Sequence, residues 1–304
     1  MDIIDILHNW TEHQAMLVFA YSLIFFLVID ILSGALSDRR QYTMQEMGLN
    51  VFAFVNFLTA RALMVGVWVW IFMKAFPGGT GFMNGMGFWT TFFVYMLVEE
   101  YAHYWIHRLS HSIPWLWRIH KAHHTPEHMN VTVTYRENWL WWALASNTYI
   151  TAFFIWGGHI APVVLAGSAK IIVGFLSHSG SRWDLALHKN RFTQPFMWVL
   201  ERVVTLQDTH HAHHGIGKYG NGMTNYAPFL FIFDVIHRTG IIPHTRQEAF
   251  GVPKTVKVEP WYELLWWPVL KTAQPADLRP PTKADSEAQS RIYTSQNGRV
   301  TIKM

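Results

Sequence analysis

The chain has 304 residues, of which 51% are hydrophobic and only 14% are Asp, Glu, Lys or Arg. A soluble domain carries about 25% charge, so this composition excludes a surface that faces water all round. The formal charge of +4 comes from basic residues that flank apolar runs, which points to lipid headgroups and away from nucleic acid. Cysteine is absent, which removes disulfides, thiolate zinc, iron–sulfur clusters and thiolate haem together.

In chain order, the N-terminus is acidic and polar (Asp2, Asp5, Glu12). It lacks a basic n-region and a cleavage site, so the first apolar run is expected to remain as an anchor. That run, at 15–36, is interrupted only by Asp30 and followed by Arg39 and Arg40. A second run covers 49–71 and contains Arg61, a charge expected to face a protein interior or a partner unless the helix is offset. A third covers 86–106 and continues as a helix to Pro114. All three have the length of a bilayer crossing. Residues 139–156 and 162–176, separated by Gly157 and Gly158, fit a helical hairpin. The stretch 196–206 is a short amphipathic run, and 226–236 and 261–270 read as helices lying at the interface. The predicted fold class is an all-α integral membrane protein with about four crossings, or a three-to-five helix bundle, under a histidine-rich helical cap. Residues 1–271 form one catalytic domain in this reading, and 272–304 a polar tail, part of it disordered.

Orientation follows from charge. If Arg39 and Arg40 lie inside, the uncharged 75–85 turn lies outside, and His107, His111 and His178 return to the inside beside Arg108, Arg118, Lys121 and Arg136. The positive-inside rule is then satisfied at each short loop. The expected location is a multi-pass protein with cytosolic histidines, in a bacterial inner membrane or an endoplasmic-reticulum-like one.

There are 18 histidines, and three clusters dominate. His107 and His111 are at i, i+4 on one helix face. His120, His123 and His124 repeat as H-x-x-H-H, with i and i+3 read as sharing a face. His210, His213 and His214 show the same spacing, and His178 stands alone at the end of a predicted span. These nine candidate ligands exceed the four of a tetrahedral zinc site and suit two metals. Imidazole suits several metals, but oxygen activation needs a redox metal, so two iron ions are the expected cofactor, with zinc able to replace them in purified protein. Second-shell acceptors are sought among Glu99, Glu100, Glu127, Glu137 and Asp208. His103, His188 and His211 are second-shell or additional-ligand candidates. Two other classes use such histidines: a membrane metal transporter and a bis-histidine haem electron carrier. No H-E-x-x-H, G-x-S-x-G or P-loop is present.

The run from Tyr104 to His111 resembles the Y-W-x-H-R-x-x-H box of the fatty acid hydroxylase and sterol desaturase superfamily. Residues 116–124 resemble its second box and 210–214 its third, followed by Asn225-Tyr226 and Phe233-Asp234, with Arg136 at a matching position. The resemblance covers about 90–240. It implies an all-helical, membrane-embedded, non-haem diiron enzyme that uses O2 as cosubstrate to hydroxylate, desaturate or demethylate a lipid. It also implies a separate electron donor of the cytochrome b5, ferredoxin or reductase type. Gly174 stands where some relatives place one more histidine, and the expectation is either that His103, His188 or His211 replaces it or that one iron has a more open shell. Trp139, Trp141, Trp142 and Phe175 are candidates to line a lipid channel.

Overall fold

The computed structural model describes residues 10–220, 222–272 and 279–296, and side chains as far as 289. His8 and the acids Asp2 and Asp5 lie outside the described residues. Among these, the chain is helical apart from one antiparallel pair of two-residue strands, β1 (Gly215–Ile216) and β2 (Ala249–Phe250).

Helix α1 (Glu12–Leu32) starts at Thr11 and Gln14, which form a capping box. Helix α2 (Met44–Ala75) starts where the Thr43 side chain accepts the Glu46 N–H. With 21 and 32 residues they are at least about 30 Å long, enough to cross the hydrocarbon. Their outer faces carry Tyr21, Ile24, Phe25, Leu32, Leu63 and Trp70, all exposed. Only a lipid environment makes such a surface favourable. Helix α7 (Ala161–His178), with Pro162 in its first turn, is the third helix long and apolar enough to cross.

Of the other two predicted spans, one is present as a single helix and one is broken. The third predicted span is present as α3 (Phe88–Ser110), 23 residues long, but it is less apolar than the other three. It carries Glu99 and Glu100, both fully buried, against Lys170 of α7. Lys170 Nζ is 2.6 Å from Glu100 and also pairs with Glu99, whose other oxygen accepts from Ser146. The charges are thus compensated inside the bundle. The first arm of the hairpin is broken at Ala145 into α5 (Trp141–Leu144) and α6 (Ser146–Trp156). Eleven residues reach only about 16 Å, so α6 packs inside the bundle against α2 and α3. Arg61 lies over the Phe57 ring at 5.9 Å, facing the bundle.

Below these helices lie α4 (Pro114–His124), α8 (Trp183–Lys189), α9 (Gln194–Val203), α10 (Gln207–His214), α11 (Ile232–Ile236), α12 (Trp261–Trp266) and α13 (Lys283–Gln296). α9 keeps Met197 and Glu201 buried and turns Phe196, Trp198 and Val199 outward, as expected of an interfacial helix. α12 differs: Leu264 and Leu265 are buried against Leu49, Ala53 and Ala122, so it locks α2 to α4. α13, in the predicted polar tail, is a helix whose Ser286 hydroxyl accepts the Gly217 N–H at 2.9 Å.

Two buried polar joints tie the cap to one end of the bundle, and a third joins two parts of the cap. Asp30 accepts from Val131 N (2.8 Å), Ser179 Oγ (2.6 Å) and Gly180 N (2.9 Å). Arg136 donates to Glu46 (2.6 Å) and Thr125 Oγ1 (2.9 Å). Lys121 reaches Glu259 at 2.9 Å. Arg40 approaches Glu127 at this same end (3.6 Å).

Candidate metal centre

The nine histidines meet at this end of the bundle in two groups. His107, His111, His120, His124 and His213 form one, and His123, His178, His210 and His214 the other, all buried. Within each, one nitrogen per ring lies within 4.8 Å of the others. The rings of His124 and His214 lie face to face at 4.3 Å and 17°, so the groups are contiguous.

Helix geometry divides the clusters. Successive helical residues are rotated by about 100°, which leaves i+4 closer to the face of i than i+3 is. His120 and His124 therefore share one group, and His210 and His214 the other. The i+3 members, His123 and His213, each join the opposite group.

The Nε2 atoms converge. His120 and His124 are 3.2 Å apart, His124 and His213 3.2 Å, His178 and His210 2.9 Å, and His210 and His214 3.1 Å. Neighbouring donors at a right angle, about 2.1 Å from a metal, are about 3.0 Å apart. His107 Nε2 and His111 Nε2 are buried without a hydrogen-bond partner. Buried lone pairs aimed at one another are costly unless a cation sits between them, so the donor set fits two metal ions.

The opposite ring nitrogens explain the convergence. His107 Nδ1 donates to Tyr226 O (2.6 Å), His178 Nδ1 to Gly174 O (2.8 Å), and His213 Nδ1 to Thr224 O (2.7 Å). His120 Nδ1 donates to Glu137 Oε1 (3.0 Å). Each bond fixes the tautomer that leaves Nε2 free for a metal. Three of these acceptors are backbone carbonyls, invisible to a search for acidic side chains.

The loop supplying two of them is itself held. Asn225 adopts φ 60°, and its amide donates to Thr209 O (2.7 Å) and Ile241 O (2.8 Å). Asp234 accepts from Tyr226 N (2.9 Å) and Ala227 N (2.7 Å). Gly222, at φ +63°, passes so close that a Cβ would lie 3.3 Å from His111 Nδ1.

Burial pushes His120, His123, His124, His210 and His214 well below the usual imidazole range, helped by their neighbours, and His213 down to about 4. The rings are thus neutral and able to ligate. Burial also pushes the Glu137 carboxyl well above its usual range. Metal ions bound by the neighbouring rings would act in the opposite sense.

The remaining candidates sit elsewhere. Glu100 accepts from Phe229 N and Leu230 N (both 3.1 Å) and touches no histidine of either group. Asp208 accepts from Arg182 and from His244 N, both at 2.6 Å. His103 Nδ1 turns to Glu99 at 3.4 Å, with its ring 6.4 Å from that of His107. His211 meets Phe250, and His188 lies against His244. None of His103, His188 and His211 replaces the histidine expected at Gly174, whose carbonyl instead orients His178. Of the proposed channel aromatics, Trp141 stacks on His120 at 4.5 Å. Trp142 and Phe175 are packed into the bundle, and Trp139 donates to Trp267 O. A cavity of about 20 Å3, room for one water, reaches His124, His213 and His214 from beneath Ile216, Pro253 and Ser286.

Membrane-length helices closing on two adjoining imidazole groups define a helical membrane bundle with a histidine-rich core whose donor sets are consistent with a pair of metal ions. The fatty acid hydroxylase family profile matches residues 92–239, which contain all nine histidines. The chain is 26% identical to alkylglycerol monooxygenase of Xenopus tropicalis over 168 residues, covering 54% of this chain and 33% of that protein. It is 28% identical to methylsterol monooxygenase 1-2 of Arabidopsis thaliana over 152 residues, covering 48% and 45%. With human alkylglycerol monooxygenase the identity is 24% over 151 residues, covering 50% and 30%. The chain thus spans a third to a half of these relatives' length, and no solved structure matches it. Residues 92–239 thus match the fatty acid hydroxylase family.

Proposed function

We propose that the protein is a non-haem diiron oxygenase that oxidises an unactivated C–H bond of a membrane lipid, with His107, His111, His120, His124 and His213 on one iron and His123, His178, His210 and His214 on the other. The convergence of these nine buried imidazoles carries the reading. When bound, the irons supply O2 activation: with two electrons and two protons, one oxygen atom enters the substrate as an alcohol and the other leaves as water.

The chain's residues do the rest. The carbonyls of Gly174, Thr224 and Tyr226 and the carboxylate of Glu137 hold the imidazoles ready, so little reorganisation is needed when metal arrives. Trp141 covers His120 on the bundle side and excludes water there. The exposed apolar helices let a lipid approach within the bilayer, which presents its carbon to the centre in a fixed orientation.

The relatives named alkylglycerol and methylsterol monooxygenase favour oxygen insertion over desaturation. They point to a sterol, ether lipid or fatty-acyl lipid as substrate. A donor of the cytochrome b5, ferredoxin or reductase type supplies the electrons. The grouping of Arg39, Arg40, Arg108 and Arg118 with the histidines supports a cytosolic active centre. A haem carrier fits poorly, because nitrogens about 3 Å apart leave no room for a porphyrin between them. A transporter needs an open path, and these rings form two closed groups.

The test is turnover of purified, iron-loaded protein with candidate lipids, reductant and ¹⁸O2. One ¹⁸O atom in an alcohol product supports the proposal. An unlabelled alkene would reassign the enzyme as a desaturase, and metal transport without oxygen uptake would remove the oxygenase reading.

A further inference from the structure

A third group of metal-type ligands lies apart from the nine histidines. His188 comes from the last turn of α8, Glu201 from α9, and His244 from the segment after Gly240. Their donor atoms lie within 4.8 Å of one another. Glu201 Oε2 is 2.9 Å from His244 Nε2 and 3.4 Å from His188 Nδ1. Donors around a tetrahedral zinc ion, at 2.0–2.2 Å from it, are about 3.3 Å apart, and these two distances bracket that value.

The surroundings are those of a built site. Glu201 is buried, with 4% of its side chain exposed. Its second oxygen is held by Arg202 Nη1 at 2.8 Å, which leaves Oε2 as a single ligand atom. His188 Nδ1 is buried and makes no hydrogen bond. The two imidazoles stack at 3.6 Å and 20°, a contact that two imidazolium ions would oppose and two neutral ligands tolerate. The His244 side chain is 36% exposed, which leaves an approach from solvent and room for a water ligand.

His244 is held in a backbone conformation that ordinary residues rarely adopt, φ +48°, and its N–H is bound to Asp208 Oδ2 at 2.6 Å. Asp208 also anchors Arg182 and opens α10, which bears His210, His213 and His214.

We propose that His188, Glu201 and His244 form a separate site for a zinc-type divalent cation, completed by water. Binding there pins α8, α9 and the 241–247 segment together beneath α10. The site clamps the helix that carries a third of the oxygenase ligands and takes no part in the oxidation.

The test uses the full chain in detergent with its iron complement in place. Zinc is added by equilibrium dialysis, and both metals are counted in the same sample. The expected result is one zinc per chain above the iron, with iron unchanged. That zinc is lost in His188→Ala and weakened at least about tenfold in Glu201→Gln. Cobalt(II) in place of zinc gives the visible bands of a four-coordinate ion in the parent protein and not in the variants. Retention of iron by each variant shows that it is folded. The proposal is overturned if no zinc binds beyond the iron, if zinc rises only as iron falls, or if the extra zinc survives in a His188→Ala/His244→Ala double variant. Failure here leaves the oxygenase reading standing, because the two sites share no ligand.

Discussion

Glu137→Ala is the substitution that best isolates the support behind the histidines. Glu137 is 5% exposed, and it is the acid that accepts from a ring of the five-histidine group, at 3.0 Å from His120 Nδ1. Removing the carboxylate leaves that N–H buried without a partner and lets the ring turn or change tautomer. Loss of such a partner weakens metal binding about 10- to 100-fold, or about 1.4–2.8 kcal/mol. Glu137→Gln keeps an oxygen acceptor but no charge, and belongs near the lower figure. The assay is chelator competition on purified protein, counting the iron that remains. Glu137→Ala loses iron at lower chelator concentration than the parent, while Glu127→Ala, an exposed acid near Arg40, behaves like the parent. Equal retention by Glu137→Ala and the parent would refute the reasoning.

Other consequences follow from the same geometry. His213→Ala removes a ring from the five-histidine group and lowers bound iron, whereas His103→Ala, outside both groups, keeps the full iron count by elemental analysis. Metal-free protein loses stability in acid. The unfolded His213 takes a proton near pH 6.5 and the folded one only near about 4, so stability is full above pH 6.5 and falls as pH drops toward 4, by about 3 kcal/mol from this ring alone. Thermal melts across that range read it, and a melting temperature that rises on acidification contradicts it. Asp30→Ala orphans the N–H groups of Val131 and Gly180 and costs about 1–3 kcal/mol, read as a lower melting temperature with iron binding retained. Stripping the metals lowers the melting temperature, because the cations bind the folded chain.

Much of the site was legible because ligand chemistry needs particular side chains at helical spacing. His107 with His111 gave one face, and the repeated H-x-x-H-H gave two more. The i, i+4 pairs follow from spacing, but the crossing of His123 and His213 into the opposite groups was not legible from spacing alone, since it depends on how α4 and α10 pack across each other. Nor were the acceptors behind the rings, because a carbonyl such as that of Gly174 or Tyr226 carries no sequence identity. Asn225 and Asp234 were visible as a motif, and their purpose emerged only with the loop they hold. For the fold, apolar length found α1, α2 and α7 directly. It misjudged the Trp-rich 139–156 stretch, where a break at Ala145 leaves a helix too short to cross. It also could not show that Glu99 and Glu100 in α3 are matched by Lys170 from a helix some seventy residues away.

The most direct measurement is diffraction at the iron absorption edge from crystals of the iron-loaded protein. Two anomalous peaks are predicted, one ringed by His107, His111, His120, His124 and His213 and the other by His123, His178, His210 and His214. A single peak, or iron bound away from these rings, would contradict the account.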